Sequence, residues 1–131
     1  MYHPTMKFFL ALFAMLAFAS ATDIAQQCSA KNPFVTNAIG KFCQNKALLV
    51  PSDYASRGME GKYQYANVMI LGTCSPPQWV PQEYCMSQLY DICAKGDKFG
   101  EGNARFGRNK CQEWRIVASN NGKQANVGKP N

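Results

Sequence analysis

Hydrophobic residues along this chain change period several times, and each change predicts an element. The first run, Phe8 to Phe18, is unbroken and only 11 residues long, short of the ~20 needed to cross hydrocarbon. A lysine precedes it and Ala19-Ser20-Ala21 follows, which is the pattern of a cleaved secretory leader. Residues 1–21 are therefore read as a signal peptide, with translation starting at Met1 or Met6. From Asn32-Pro33 the period becomes helical. Asn is a favoured N-cap and Pro suits the first helical position, and Phe34, Val35, Ala38, Ile39, Phe42 and Cys43 then form one apolar stripe. Ala47 to Val50 reads as a strand that Pro51 confines to an edge or an end.

After turns at Arg57-Gly58 and Glu60-Gly61, Lys62 to Tyr65 alternate polar and aromatic residues as a half-buried strand would, and Ala66 to Leu71 continue into a central strand. A second helix follows Pro81, near Gln82 to Ala94, with Cys85, Leu89, Ile92 and Cys93 on one face and Gly96 as its stop. Residues 95–110 hold four glycines and five cations and read as a long exposed loop or loose hairpin. Cys111 to Ala118 is the last strand, placing Trp114 and Ile116 on one face. The polar segment 119–131 has little to bury and is expected to be a disordered tail. With Ile24 to Cys28 as a first strand the order is βαββαβ. That order predicts an α+β fold, a two-layer split β-α-β sandwich with two helices on one face of an antiparallel sheet.

Removing 21 of the 131 residues leaves 110 that hold all six cysteines and not one histidine, since the single His is His3. Residues 22–118 are read as a single disulfide-stabilised domain. Lys7 leaves with the leader, so 14 cations become 13 against 8 carboxylates, a net +5. Export to an oxidising compartment predicts that Cys28, Cys43, Cys74, Cys85, Cys93 and Cys111 form three bridges. Cys85 and Cys93 lie eight residues apart on one helix, roughly 12 Å at its rise per residue, beyond the ~7 Å a disulfide spans. Each must tie that helix to a different segment, expected to be the sheet and the N-terminal region. Cys28 with Cys43 is disfavoured on the same grounds. No C-x-x-C pair occurs, so zinc is not expected, nor is any other cofactor. No N-x-S/T sequon is present.

Without histidine, a Ser-His-Asp triad, a Cys-His dyad and a His-based ribonuclease couple are excluded. Carboxylate chemistry remains, as in a glycosidase pair. Asp23, Asp53, Glu60, Glu83, Asp91, Asp97, Glu101 and Glu113 are scattered and read as solvated surface. Gly100-Glu101-Gly102 is a loop rather than a phosphate cradle. More suggestive are Lys95, Lys98, Arg105, Arg108, Lys110 and Arg115 interleaved with Phe99, Phe106 and Trp114, a combination that suits anionic glycans, membranes or single-stranded nucleic acid. Asp97, Glu101 and Glu113 lower its charge to +3, and a solvated loop is the plainer reading. Trp79, between Pro77 and Pro81, is expected to pack on the core, with an exposed anchor as its alternative. Tyr63, Tyr65, Tyr84 and Tyr90 are expected to be half-buried.

The leader, the helix carrying NAIGKFC, the helix carrying YCMSQLYDIC and the segment GEGNARFGRNKCQEW together resemble small secreted cysteine-rich proteins of fungi, particularly killer-toxin-like effectors. The resemblance is architectural and spans most of residues 28–118. It implies a toxin or virulence factor that acts outside its producer. The leading expectation is a secreted effector that binds an extracellular protein or glycan of a host or competitor without catalysis. A carbohydrate-binding module using Trp79 or Trp114, and a small hydrolase or ribonuclease-like scaffold using carboxylates, are the alternatives. Lys98, Arg105, Phe106, Arg108, Lys110, Trp79 and Trp114 are the candidate binding residues. No catalytic residue, membrane span or nucleic-acid partner is expected, and the protein is expected to be a monomer.

Overall fold

A computed structural model of the chain describes residues 23–118. The expected leader and tail lie outside the described residues. Helix α1 runs over residues 23–31 and α2 over Pro33–Phe42. Short elements follow: β1 (Leu49–Val50), α3 (Asp53–Arg57) and β2 (Met59–Glu60). Then come β3 (Ala66–Gly72), β4 (Gln78–Trp79), α4 (Gln82–Lys95), β5 (Gly102–Phe106) and β6 (Gln112–Ala118). The main sheet is antiparallel with order β2-β3-β6-β5, and β1 pairs with β4 in a separate two-stranded ribbon.

The fold is α+β, with three disulfides and helices on one sheet face. The β3/β6 register sets Val68 opposite Ile116 and Ile70 opposite Trp114, and all four are buried. Val35, Ala38, Ile39 and Phe42 of α2 and Leu89 and Ile92 of α4 close over them. The alternate positions Met69, Leu71, Glu113 and Arg115 occupy the other face and are only partly buried, as a sheet with one covered face requires.

Asn32 organises the entry to this core. Its N–H donates to Cys28 O (2.9 Å), closing α1, while its Oδ1 accepts from Phe34 N–H (3.0 Å), opening α2. Pro33 disfavours helical geometry at the residue before it, and Asn32 is extended (φ −159°). The buried side chain also donates to Phe99 O (3.0 Å), so its polar atoms are satisfied.

Two expected elements differ, and a third takes one of its two expected forms. Residues 24–28 form helix, not strand: Ile24, Cys28 and Lys31 follow the i, i+4, i+7 helical spacing, and Cys28 needs that face to reach α4. Lys62–Gln64 form a short 3₁₀ segment broken by a kink, with Tyr63 and Gln64 left-handed (φ 61° and 59°); Tyr65 caps it and strand begins at Ala66. The glycine-rich stretch 95–110 takes the hairpin form of its two expected ones: beyond Lys95, which ends α4, it carries β5, which pairs along β6. Its glycines serve close packing: a Cβ on Gly102 would meet Ile92 Cγ2 at 3.2 Å, so the missing side chain lets α4 approach the strand.

The bridges are Cys28–Cys93, Cys43–Cys85 and Cys74–Cys111. Helix α4 is thus tied to two segments, one of them the N-terminal region. The other is the end of α2 rather than the sheet, because α4 lies beside α2 and presents Cys85 to its C-cap. The third bridge joins the chain just beyond β3 to the residue just before β6.

Candidate functional site

The site is built on Gln78 and Trp79, and its geometry begins with backbone. Strand β4 pairs Trp79 with Leu49 and Gln78 with Val50, and Val80 N–H donates to Leu48 O (2.9 Å). Val80 takes the core position (3% exposed), so the alternation of a strand turns Trp79 outward. Its ring is 60% exposed and anchored by Nε1 donating to Lys46 O (2.8 Å). The expectation that Trp79 packs on the core is therefore corrected. Tyr84, in the first turn of α4, is 58% exposed, where a half-buried role was expected; Gln88 lies one turn further on the same face.

Trp79, Tyr84 and Gln88 rim a cleft of about 350 Å³ whose far wall is Phe106 and Gly107. Its floor is a chain of amides over an indole. Gln112, almost fully buried, donates Nε2 to Gln78 Oε1 (3.1 Å) and accepts from Trp114 Nε1 (2.9 Å). Trp114 is 1% exposed and packs edge-on against Phe106 (centroids 5.2 Å apart). Burial removes Trp114 as a stacking surface and makes it the support of the cleft.

A second cavity of about 430 Å³ adjoins the first at Gln78. The Cys74–Cys111 bridge forms one wall, and Arg105, Arg108 and Lys110 supply the charge. The turn between β5 and β6 shapes it, with Gly107 (φ 84°) followed by Asn109 and Lys110, both left-handed (φ 55° and 56°). Gln78 Oε1 also accepts from Arg108 N–H (3.2 Å), so one amide oxygen holds the basic turn and the floor of the aromatic cleft together. Arg105 lies 3.6 Å from Glu113, whereas Arg108 and Lys110 have no ion-pair partner among the described residues.

Of the residues singled out from sequence, Arg105, Phe106, Arg108, Lys110 and Trp79 come together here. Lys98 does not: it sits over the Phe99 ring (5.1 Å) at the opposite end of β5. The sequence pattern does not point to Gln78, Gln88 or Gln112, and it marks Tyr84 only as a half-buried helix residue. An aromatic and an amide at i and i+4 on the polar face of α4 was the one local sign of the pair on that helix.

Carboxylates serve other ends. Asp53, Asp91 and Glu113 pair with Arg57, Lys95 and Arg115, while Asp97 and Glu101 accept backbone N–H groups. Among the described residues there is no histidine and no group of three His, Cys, Asp or Glu that could hold a metal. Burial raises the phenol pKa values of Tyr54 and Tyr90, and neither lines the cleft. What this arrangement offers chemically is stacking, amide hydrogen bonds and fixed positive charge. The chain matches no family model, no curated protein and no solved structure.

Proposed function

We propose that the protein is a secreted effector or killer-toxin-like factor that binds an extracellular target of a host or competitor through the cleft between Trp79 and Tyr84, without catalysis. The observation that carries this reading is the exposed Trp79, fixed at both backbone and indole yet contributing little to the core. An exposed, fixed indole is a ready stacking surface, and Trp is enriched where binding energy concentrates. The short leader supports export, and three disulfides are compatible with life outside the cell. Glutamine amides under an aromatic rim favour a ligand with both apolar faces and hydroxyl edges.

The test is Trp79→Ala in the oxidised protein, measured on an oligosaccharide array and on target-cell activity. Loss of a ligand-stacking Trp is expected to cost about 2 kcal/mol, roughly 30-fold in affinity, with the thermal midpoint nearly unchanged because the ring is exposed. Full activity and undiminished binding in the variant would overturn the cleft as the binding site.

A further inference from the structure

We infer that the ligand of this cleft is an anionic oligosaccharide, one sugar ring stacking at Trp79 and Tyr84 while the acid group of a neighbouring unit is held by Arg108 and Lys110. This rests on the reading of the aromatic cleft as the binding site and adds the second cavity to it. Both cavities lie toward the lower end of the ~300–1,000 Å³ typical of small-ligand sites. They share Gln78, and Gly107 of one is bonded to Arg108 of the other.

The chemistry of each half selects its part of the ligand. Sugar rings present C–H faces that lie on aromatic planes and hydroxyl edges that need polar partners. Trp79 and Tyr84 supply the planes. Gln88 and the Nε2 of Gln78, which has no hydrogen-bond partner among the described residues, supply polar groups. Across Gln78 the lining changes character: three cations, no carboxylate, and a turn whose left-handed residues bring Arg108 and Lys110 to one rim. Arg105 is partly answered by Glu113; Arg108 and Lys110 await an anion, and charge-assisted hydrogen bonds to a carboxylate or sulfate are the strongest polar contacts the surface could make. A neutral sugar would leave this half idle. An acidic peptide would use the cations alone, whereas the open aromatic half floored by amides suits the C–H faces and hydroxyl edges of a sugar.

Titrations of the disulfide-intact protein test this with a polyuronate hexamer, its methyl ester and a heparin-derived sulfated hexamer, at low and high salt. At low salt at least one acidic hexamer is expected to bind ~10-fold or more tightly than the neutral ester, a modest return for one or two charge-assisted contacts. High salt should erase most of that difference. The two acidic probes separate carboxylate from sulfate recognition. Replacing both cations, Arg108→Gln with Lys110→Gln, should lower acidic-sugar affinity to that of the ester and leave ester binding intact. Trp79→Ala should weaken all three.

If ester and acids bind alike and the double glutamine variant matches wild type, the anionic inference fails while the cleft reading stands. If no hexamer binds, or if an acidic peptide or vesicles of anionic phospholipid bind in their place, the ligand class is wrong. The effect of Trp79→Ala on target-cell activity then judges the cleft separately.

Discussion

Gly107 carries more of the site than any neighbour, and only because it lacks a side chain. Its backbone (φ 84°, ψ 176°) lies in a region that is essentially glycine-only. A Cβ there would stand 2.6 Å from Gln78 Oε1 and 2.9 Å from Gln112 Cγ, wedging apart the amide pair that joins the two cavities. Gly107→Ala is therefore expected to lower unfolding free energy by about 1–3 kcal/mol and to weaken ligand binding of the folded protein as well. Urea denaturation and titration of the same preparation check both. Asn103→Ala, at an exposed position of β5 with extended backbone, is the comparison and should change stability far less. At this scale sequence is a partial guide. The cations of the turn were legible because charge needs no context to be noticed. The exposure of Trp79 was not, because hydrophobicity argues for burial, and what turns the ring outward is pairing with Leu49, 30 residues earlier.

Among the elements, α4 is held at its end by an unusual partner. Lys31, the last residue of α1, donates its ammonium to the carbonyls of Cys93 (3.3 Å) and Gly96 (3.0 Å) and also to that of Ala94. A cation at a helix C-terminus answers both the unsatisfied carbonyls and the macrodipole. Lys31→Met keeps the aliphatic stem and removes the charge, so a loss of about 1 kcal/mol is expected by chemical denaturation. Lys31→Arg should recover part of it. This contact also explains what was legible here. Helices α2 and α4 declared themselves by local signals, Asn32-Pro33 and Pro81 at their starts and Gly96 at the stop. Helix α1 offered only Ile24 and Cys28 as apolar markers, too few to fix a period, and it is anchored by a bridge and a lysine that act over more than 60 residues. Segment 62–65 departs from the expected strand for a related reason: Asn37 Oδ1 accepts from Lys62 N–H (2.8 Å), and alternation of side-chain type says nothing about such a contact.

For the molecule as a whole, the cysteines divide the work. Helical rise alone forbade Cys85 with Cys93, so that constraint was readable; their true partners depend on how α1, α2 and α4 lie together, which no spacing encodes. Cys28–Cys93 closes the longest loop, a separation of 65 residues. Replacing both by serine is expected to cost about 4 kcal/mol on the chain-entropy account, read by denaturant titration and by faster proteolysis. Ligand affinity of the folded fraction should hold, because the wall of the basic cavity is the other bridge, Cys74–Cys111. The ribbon of β1 and β4 has a further consequence. It positions residue 79 through main-chain hydrogen bonds, which are indifferent to the side chain attached. Position 79 is thus a socket: lineages descending from this chain could trade its indole for another group, and so change what they grip, while the frame beneath kept its shape.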